Sequence, residues 1–187
     1  MVREAQEDTS SSQRDNFFSL FSEKPATRLP VFLFPAIMFS MECYDKAVYL
    51  LSMREHTERE LHNKLIQKGY SEDATRETLE RLKKENYLSE ERFVESFVRS
   101  RMRKSPEGKY ILGMRLNEKG SPREIYSPYL DMFFENEEHV PFVKDNLEKL
   151  IRMKGREKAK LTLMKKGFRE SLLEALIREI ESENDLD

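Results

Sequence analysis

The sequence predicts an all-α fold of tandem, helix-turn-helix-like three-helix repeats in an elongated array. Charged residues make up 36% of the 187 residues, mean hydropathy is −0.74, and there are only six glycines and no tryptophan. This composition is typical of solvated amphipathic helices. The dipeptide Lys-Gly also occurs three times, with its glycines at positions 69, 120 and 167. Intervals of 51 and 47 residues lie in the range of structural repeats.

The residues around the three Lys-Gly dipeptides share one apolar pattern. Apolar side chains stand four and eight positions before each glycine, on one face of a helix, and ten and thirteen positions after it, on one face of the next helix. The pattern therefore places these twelve side chains on shared faces of the two helices. They are Leu61, Leu65, Leu79, Leu82, Leu112, Leu116, Leu130, Phe133, Ala159, Leu163, Ile177 and Ile180.

Each copy is predicted to run helix, turn, helix, glycine, helix. In the first copy, residues 45–53 form the opening helix, and Thr57 with Glu60 forms a capping box that opens a helix to Lys68. Gly69 ends that helix, because glycine adopts the left-handed conformation without a steric penalty. Ser71 then caps a third helix through Glu85. The predicted units are residues 43–86, 87–135 and 136–183.

The second and third copies follow the same plan. Ser89 caps a helix to about Lys104, and Pro106 with Gly108 marks the turn after it. Pro128 lies inside the third helix of the second copy, where a proline costs about 3 kcal/mol, so we expect a kink or a late helix start. The remaining helices are predicted at 109–119, from Ser121-Pro122 onward, and at 141–153, 156–166 and 169–183.

Residues 1–42 show no sustained helical or strand period and are interpreted as a disordered leader. A natural start at Met38 or Met41 is one interpretation of this segment, and a flexible tail is the other. The apolar stretch 29–41 is too short to span a bilayer and contains two prolines, so a membrane span is rejected. A single cysteine, Cys43, and no signal-peptide pattern favour the cytoplasm.

No residue pattern indicates catalysis or a bound cofactor. His56, His62 and His139 each lack a second ligand at helical spacing, which argues against a zinc site and against a histidine-activated nucleophile. Neither GxxxxGK[ST] nor GxGxxG occurs. We therefore expect no metal, no cofactor and no enzymatic activity.

Charge is distributed in blocks, although the net charge is only −2. Residues 99–123 contain eight basic and two acidic side chains, and residues 152–169 contain eight basic and one acidic side chain. These blocks are either the solvated faces of helices or a surface for a polyanion or an acidic protein groove. The predicted partner-binding residues are Arg99, Arg101, Arg103, Lys104, Lys109, Arg115 and Lys119.

The segments VYLLSMREHTERELHNKLIQKGY (48–70) and ENYLSEERFVESFVRSRMRK (85–104) resemble the RecX family of RecA regulators. The resemblance covers roughly residues 44–180 and is weakest in the third repeat. The chain departs from the family at Ser89-Glu90-Glu91, where an aspartate-rich turn is usual. A second departure is Pro106-Glu107-Gly108, where Gly-x-Gly is common.

The resemblance implies a regulator that binds RecA and lies along the RecA–DNA filament, restraining its recombinase, ATPase and coprotease activities in DNA repair and the SOS response. It implies no catalytic residue. A direct helix-turn-helix DNA-binding protein and a scaffold for an unrelated partner are the alternatives. The acidic or mixed third helices at 71–85 and 121–135 argue against DNA readout. No heptad seam is present, so a monomer is expected.

Overall fold

A computed structural model describes residues 33–184, which form nine α-helices and no strand. The chain divides into two compact units, residues 1–38 and 39–187, and of the first only the helical residues 33–38 are described. The predicted all-α class is therefore confirmed. The helices are α1 (Leu33–Met53), α2 (Glu58–Gln67), α3 (Glu72–Lys84), α4 (Glu90–Lys104), α5 (Lys109–Lys119), α6 (Arg123–Glu135), α7 (Val140–Lys154), α8 (Arg156–Lys165) and α9 (Glu170–Asn184).

The first helix begins earlier than predicted. It starts at Leu33, so residues 33–42 are helical and do not belong to a disordered leader. Pro35 is compatible with this start because it is the third residue of the helix, and the first four N–H groups of a helix have no intrahelical acceptor. The leader prediction for residues 1–32 lies outside the described residues.

Three hydroxyl side chains cap helices as predicted. The backbone N–H of Glu60 donates to Thr57 Oγ1 over 3.0 Å, and that of Ala74 donates to the Ser71 hydroxyl over 3.3 Å. The Arg92 N–H donates to the Ser89 hydroxyl over 3.2 Å. Each bond satisfies one of the free donors at the start of a helix. All three helix starts are thereby fixed within a residue of the predicted positions.

Pro128 does not delay its helix. α6 begins at Arg123, and Pro128 lies in its second turn, exposed to solvent. Its ring removes one intrahelical hydrogen bond, and the exposed position lets water solvate the freed carbonyl oxygen. Of the two expected outcomes, the late helix start is therefore wrong, because the helix continues through the proline on its solvated face. The kink stays a prediction.

All twelve side chains of the Lys-Gly pattern are buried, with exposures between 0 and 4%. Those of α2 and α3 pack in one apolar cluster with Cys43, Ala47 and Leu88. Those of α5, α6, α8 and α9 pack in a second cluster, which also contains buried residues of α4 and α7. Helices α1–α3, α4–α6 and α7–α9 are called the first, second and third helix groups below. The unit boundaries predicted from the sequence stay a prediction.

Successive helix groups meet at the Lys-Gly dipeptides. The Thr57 hydroxyl, at the turn before α2, donates to the carbonyl oxygen of Lys119 over 2.9 Å. In the next pair of groups, the backbone N–H of Gly108, at the turn before α5, donates to the carbonyl oxygen of Lys166 over 2.7 Å. Thr57 and Gly108 each stand twelve positions before the Lys-Gly glycine of their own group. The same turn thus docks on the same dipeptide at both junctions.

The second junction requires two glycines in direct contact. A Cβ added to Gly108 would lie 2.7 Å from the carbonyl oxygen of Gly167 and 2.9 Å from its carbonyl carbon. Gly167 itself has a φ of +92°, a conformation that glycine adopts without strain. At the first junction, the Arg59 guanidinium covers Gly120 and donates to the carbonyl oxygen of Glu118. The second junction is therefore held by backbone groups in direct contact, whereas at the first junction the side chains of Thr57 and Arg59 donate to backbone carbonyl groups.

Two buried histidines lie close to these junctions. His56, next to Thr57, is 1% exposed, and its Nδ1 lies 3.1 Å from the Glu60 carboxylate. His139 is 8% exposed and lies between Phe134 and Phe168, with ring centroids 4.6 Å and 6.4 Å away. Burial lowers the pKa of both histidines below the usual 6.5, against the opposing pull of Glu60 on His56 and of Glu137 on His139.

We expect the protein to lose stability as the pH falls below about 6.5. Because the folded-state pKa values of both histidines are depressed, the unfolded chain binds protons first, and the stabilisation present above pH 6.5 is lost on acidification. Each histidine contributes at most about 1.4 kcal/mol per pH unit. Urea unfolding of wild type and His139→Phe between pH 7.5 and 5.5 measures this effect, since phenylalanine keeps the ring stack and does not titrate. An unchanged pH slope in the variant would contradict it.

No helix within residues 33–184 is long and apolar enough to cross a membrane.

Candidate functional site

A buried carboxylate organises part of the predicted basic surface. Glu107, in the turn between α4 and α5, is 5% exposed. Arg101 and Arg115 both donate to it, with Arg115 Nε 2.7 Å from Glu107 Oε2 and Arg101 Nη2 2.5 Å from Oε1. Burial alone would raise the pKa of Glu107, but the hydrogen bonds from Arg115 and Arg101 lower it below the usual 4.5. These two arginines therefore have a structural role, which their sequence positions did not reveal.

Two further residues of the predicted set, Arg99 and Lys109, form ion pairs with carboxylates of the same chain. Arg99 lies 3.1 Å from Glu95 on its own helix and 3.4 Å from Glu138. Lys109 pairs with Asp131 of α6. Such exposed pairs are worth little individually, about 0–1 kcal/mol, and a partner can displace them. Arg99 and Lys109 consequently remain available to an acidic ligand at small cost.

Three residues of the set keep exposed, unneutralised charges. Among residues 42–183, no carboxylate lies within ion-pair distance of Arg103, Lys104 or Lys119, and the same holds for Arg123 at the start of α6. Arg103 and Lys104 end α4, where the helix dipole favours cations. The predicted set thus divides into two arginines clamped on the buried Glu107, two residues in weak surface pairs and three free cations.

An open groove of about 1180 Å³ lies between the second and third helix groups. One wall carries Tyr110 and Met114, which are 79% and 48% exposed. Lys109, Arg123 and Arg169 line the same groove. Exposed aromatic side chains next to arginines are characteristic of protein interfaces. Sequence reasoning missed the groove because it forms only when the two helix groups dock.

Sequence reasoning also missed cations of the second basic block. Lys154 and Lys166 have no carboxylate within ion-pair distance among the described residues, whereas Arg156 and Lys160 of the same block are paired with Glu174. The excess of basic residues in 152–169 was visible in the sequence. The charge count could not show which of these cations form ion pairs, because Glu174, the partner of Arg156 and Lys160, lies on α9.

The family profile described as "RecX, first three-helix domain" matches residues 43–82. The "Regulatory protein RecX" of Prosthecochloris aestuarii is 33% identical over 129 residues, which cover 66% of this chain and 83% of that protein. The chain belongs to the RecX family. The "Regulatory protein RecX" of Oceanobacillus iheyensis is 29% identical over 157 residues. That alignment covers 78% of this chain but only 56% of the longer relative, so the chain corresponds to just over half of that RecX protein.

A solved RecX structure shows the same fold. The crystal structure of RecX from Lactobacillus salivarius superposes with a TM-score of 0.61 and 24% sequence identity, covering 78% of this chain and 98% of that one. The helical repeat architecture predicted from the Lys-Gly spacing is therefore that of the RecX family. Both of the relatives compared by sequence carry the name "Regulatory protein RecX".

Proposed function

We propose that this RecX-family protein binds the RecA recombinase and the RecA–DNA filament, and that it mostly inhibits the recombinase, ATPase and coprotease activities. It acts by occupying a surface rather than by catalysis, and it works in the cytoplasm as a monomer. The observation that carries the proposal is the group of exposed, unpaired cations Arg103, Lys104 and Lys119 on a fold of regulatory proteins.

Two features support a partner with acidic surface. The free cations lie on the second helix group, and Arg123 adds another at the start of α6. The groove between the second and third groups adds exposed apolar surface at Tyr110 and Met114. Cations give long-range attraction to an acidic surface, and exposed aromatic groups supply buried contact area once the partner is bound. Together they suit a partner with both acidic and apolar surface.

Direct DNA readout by a helix-turn-helix unit is the other candidate, and the helix ends argue against it. α3 opens with Glu72 and Asp73, and α9 opens with Glu170. A recognition helix places Arg, Lys, Asn or Gln near its N-terminus, where base edges are read. Among the third helices of the three groups, α3, α6 and α9, only α6, which begins at Arg123, fits that requirement in part.

Reversing the free charges should weaken filament binding. We expect Arg103→Glu/Lys104→Glu to bind filaments of purified RecA and DNA about tenfold more weakly at low salt, and to show a shallower salt dependence. Arg101 is left intact in this variant because it holds Glu107. Lys149→Glu is the matched control, since Lys149 is exposed, belongs to α7 and has no ion pair among the described residues. Co-sedimentation measures both variants.

The outcomes also separate the candidate partners. A pull-down from extract that retains recombinase after nuclease treatment agrees with protein contact. Recombinase lost on nuclease treatment, together with wild-type affinity of the double variant for filaments, would contradict the proposal and favour a direct DNA-binding protein.

A further inference from the structure

The junction between the second and third helix groups holds an unneutralised cation. Lys166, the residue after α8, is half-buried, and its ammonium group donates to the hydroxyl of Ser105. A hydroxyl carries no charge, so this bond leaves the charge of Lys166 uncompensated. The charged groups that act on Lys166 are Glu107, Arg101 and Lys154. Two of these three neighbours are cations.

Glu107, the single carboxylate of this cluster, already accepts hydrogen bonds from two arginines. Both oxygens of Glu107 accept hydrogen bonds from the guanidinium groups of Arg101 and Arg115. Lys154 Nζ donates to the Thr162 hydroxyl over 2.7 Å, and no carboxylate within residues 42–183 lies at ion-pair distance from it. Four cations therefore share one carboxylate at this junction.

Helix dipoles offset only part of this excess. Arg101 lies in the last turn of α4, Lys154 ends α7, and Lys166 follows α8. Each helix C-terminus is equivalent to about half a negative charge. Burial lowers the pKa of Lys166, and the attraction of Glu107 opposes repulsion by Arg101 and Lys154. The cluster therefore favours an additional anion.

We propose that Lys154, Lys166 and Ser105 form a binding site for a phosphate group at this junction. An ammonium group has three donors, and each lysine has only one of them engaged by a side chain. The Ser105 hydroxyl accepts from Lys166 and keeps its own proton for donation. A phosphate group supplies at least two anionic acceptor oxygens, which match two lysines better than a single carboxylate does. The site does not depend on recombinase binding.

The phosphate group belongs either to a nucleic-acid backbone or to free phosphate, and both sources are tested on the 187-residue chain alone. In the first arm, sodium phosphate replaces sodium chloride at constant ionic strength and pH, and thermal unfolding is followed. We expect phosphate to raise the Tm of wild type and of the Lys149→Gln control. The increase should fall by at least about half in Lys154→Gln, an exposed position that does not disturb packing. Lys166→Gln should have a similar effect.

In the second arm, a single-stranded oligonucleotide is titrated at several salt concentrations. If the ligand is backbone phosphate, the salt slope of log Kd should fall by about 0.7 for each lysine removed. If Lys154→Gln loses the phosphate response but keeps the wild-type oligonucleotide slope, the site serves free phosphate groups. Equal effects of phosphate and chloride on wild type, or an undiminished phosphate response in Lys154→Gln, would overturn the proposal.

Discussion

Gly108→Ala is expected to destabilise the junction between the second and third helix groups by about 1–3 kcal/mol, the cost of forcing extra atoms into a packed interior. The added Cβ would lie 2.7 Å from the Gly167 carbonyl oxygen. Since the atoms that it would contact belong to the backbone of Gly167, no flexible side chain can move aside to make room. Relief requires separating the turn from Lys166 and lengthening the 2.7 Å hydrogen bond between Gly108 and the Lys166 carbonyl. The free energy of unfolding in urea measures the loss.

Gly113→Ala is the matched control, because it makes the same chemical change within α5. A Cβ there would meet Tyr126 and Leu130 side-chain atoms at 3.6 and 3.7 Å, which is ordinary van der Waals contact. Alanine in place of a helical glycine stabilises by about 0.5–1 kcal/mol. Gly108 has a φ of −69°, which alanine also adopts, so backbone strain does not explain a loss at that position. Equal effects of the two substitutions would refute close packing at Gly108.

The repeat pattern predicted the fold well because each repeat encodes its own burial. Leu65, Leu116 and Leu163, for example, each lie four positions before the glycine of their repeat. A helix face that is apolar at this spacing is buried in the folded chain, whichever element packs against it. Pro128 and the start of α1 escaped prediction for a different reason. Whether a proline stops a helix depends on the turn in which it lies and on its exposure, neither of which is visible in composition.

The candidate site was predicted less completely than the fold. The sequence presented seven basic residues as one dense block, but Arg101 and Arg115 converge on Glu107, which the sequence presented as an ordinary turn residue. Lys154 and Lys166 belong to a different block, and only docking of the third group brings Lys166 to Ser105. Charge counts locate cations along the chain. They do not reveal which cations a folded chain neutralises.

Glu107→Gln should be the most damaging substitution of a charged residue in the second helix group. It removes the charge from a buried group that accepts from two arginines, and bonds of this kind contribute about 1.5–3 kcal/mol. An amide also points donors at the two guanidinium groups, so the clamp cannot re-form. Glu95→Gln is the control, because Glu95 is 52% exposed in its pair with Arg99 and should cost below about 0.5 kcal/mol.

The pH dependence of this loss identifies its cause. The pKa of Glu107 lies below the usual 4.5 in the folded protein, so the clamp is fully present above pH 4.5 and is lost as the pH falls through the folded-state pKa. The difference in unfolding free energy between wild type and Glu107→Gln should therefore be constant from pH 7 to about 5 and shrink below that. A difference that stays constant into acid would mean that packing, and not the charge of Glu107, holds Arg101 and Arg115 at this turn.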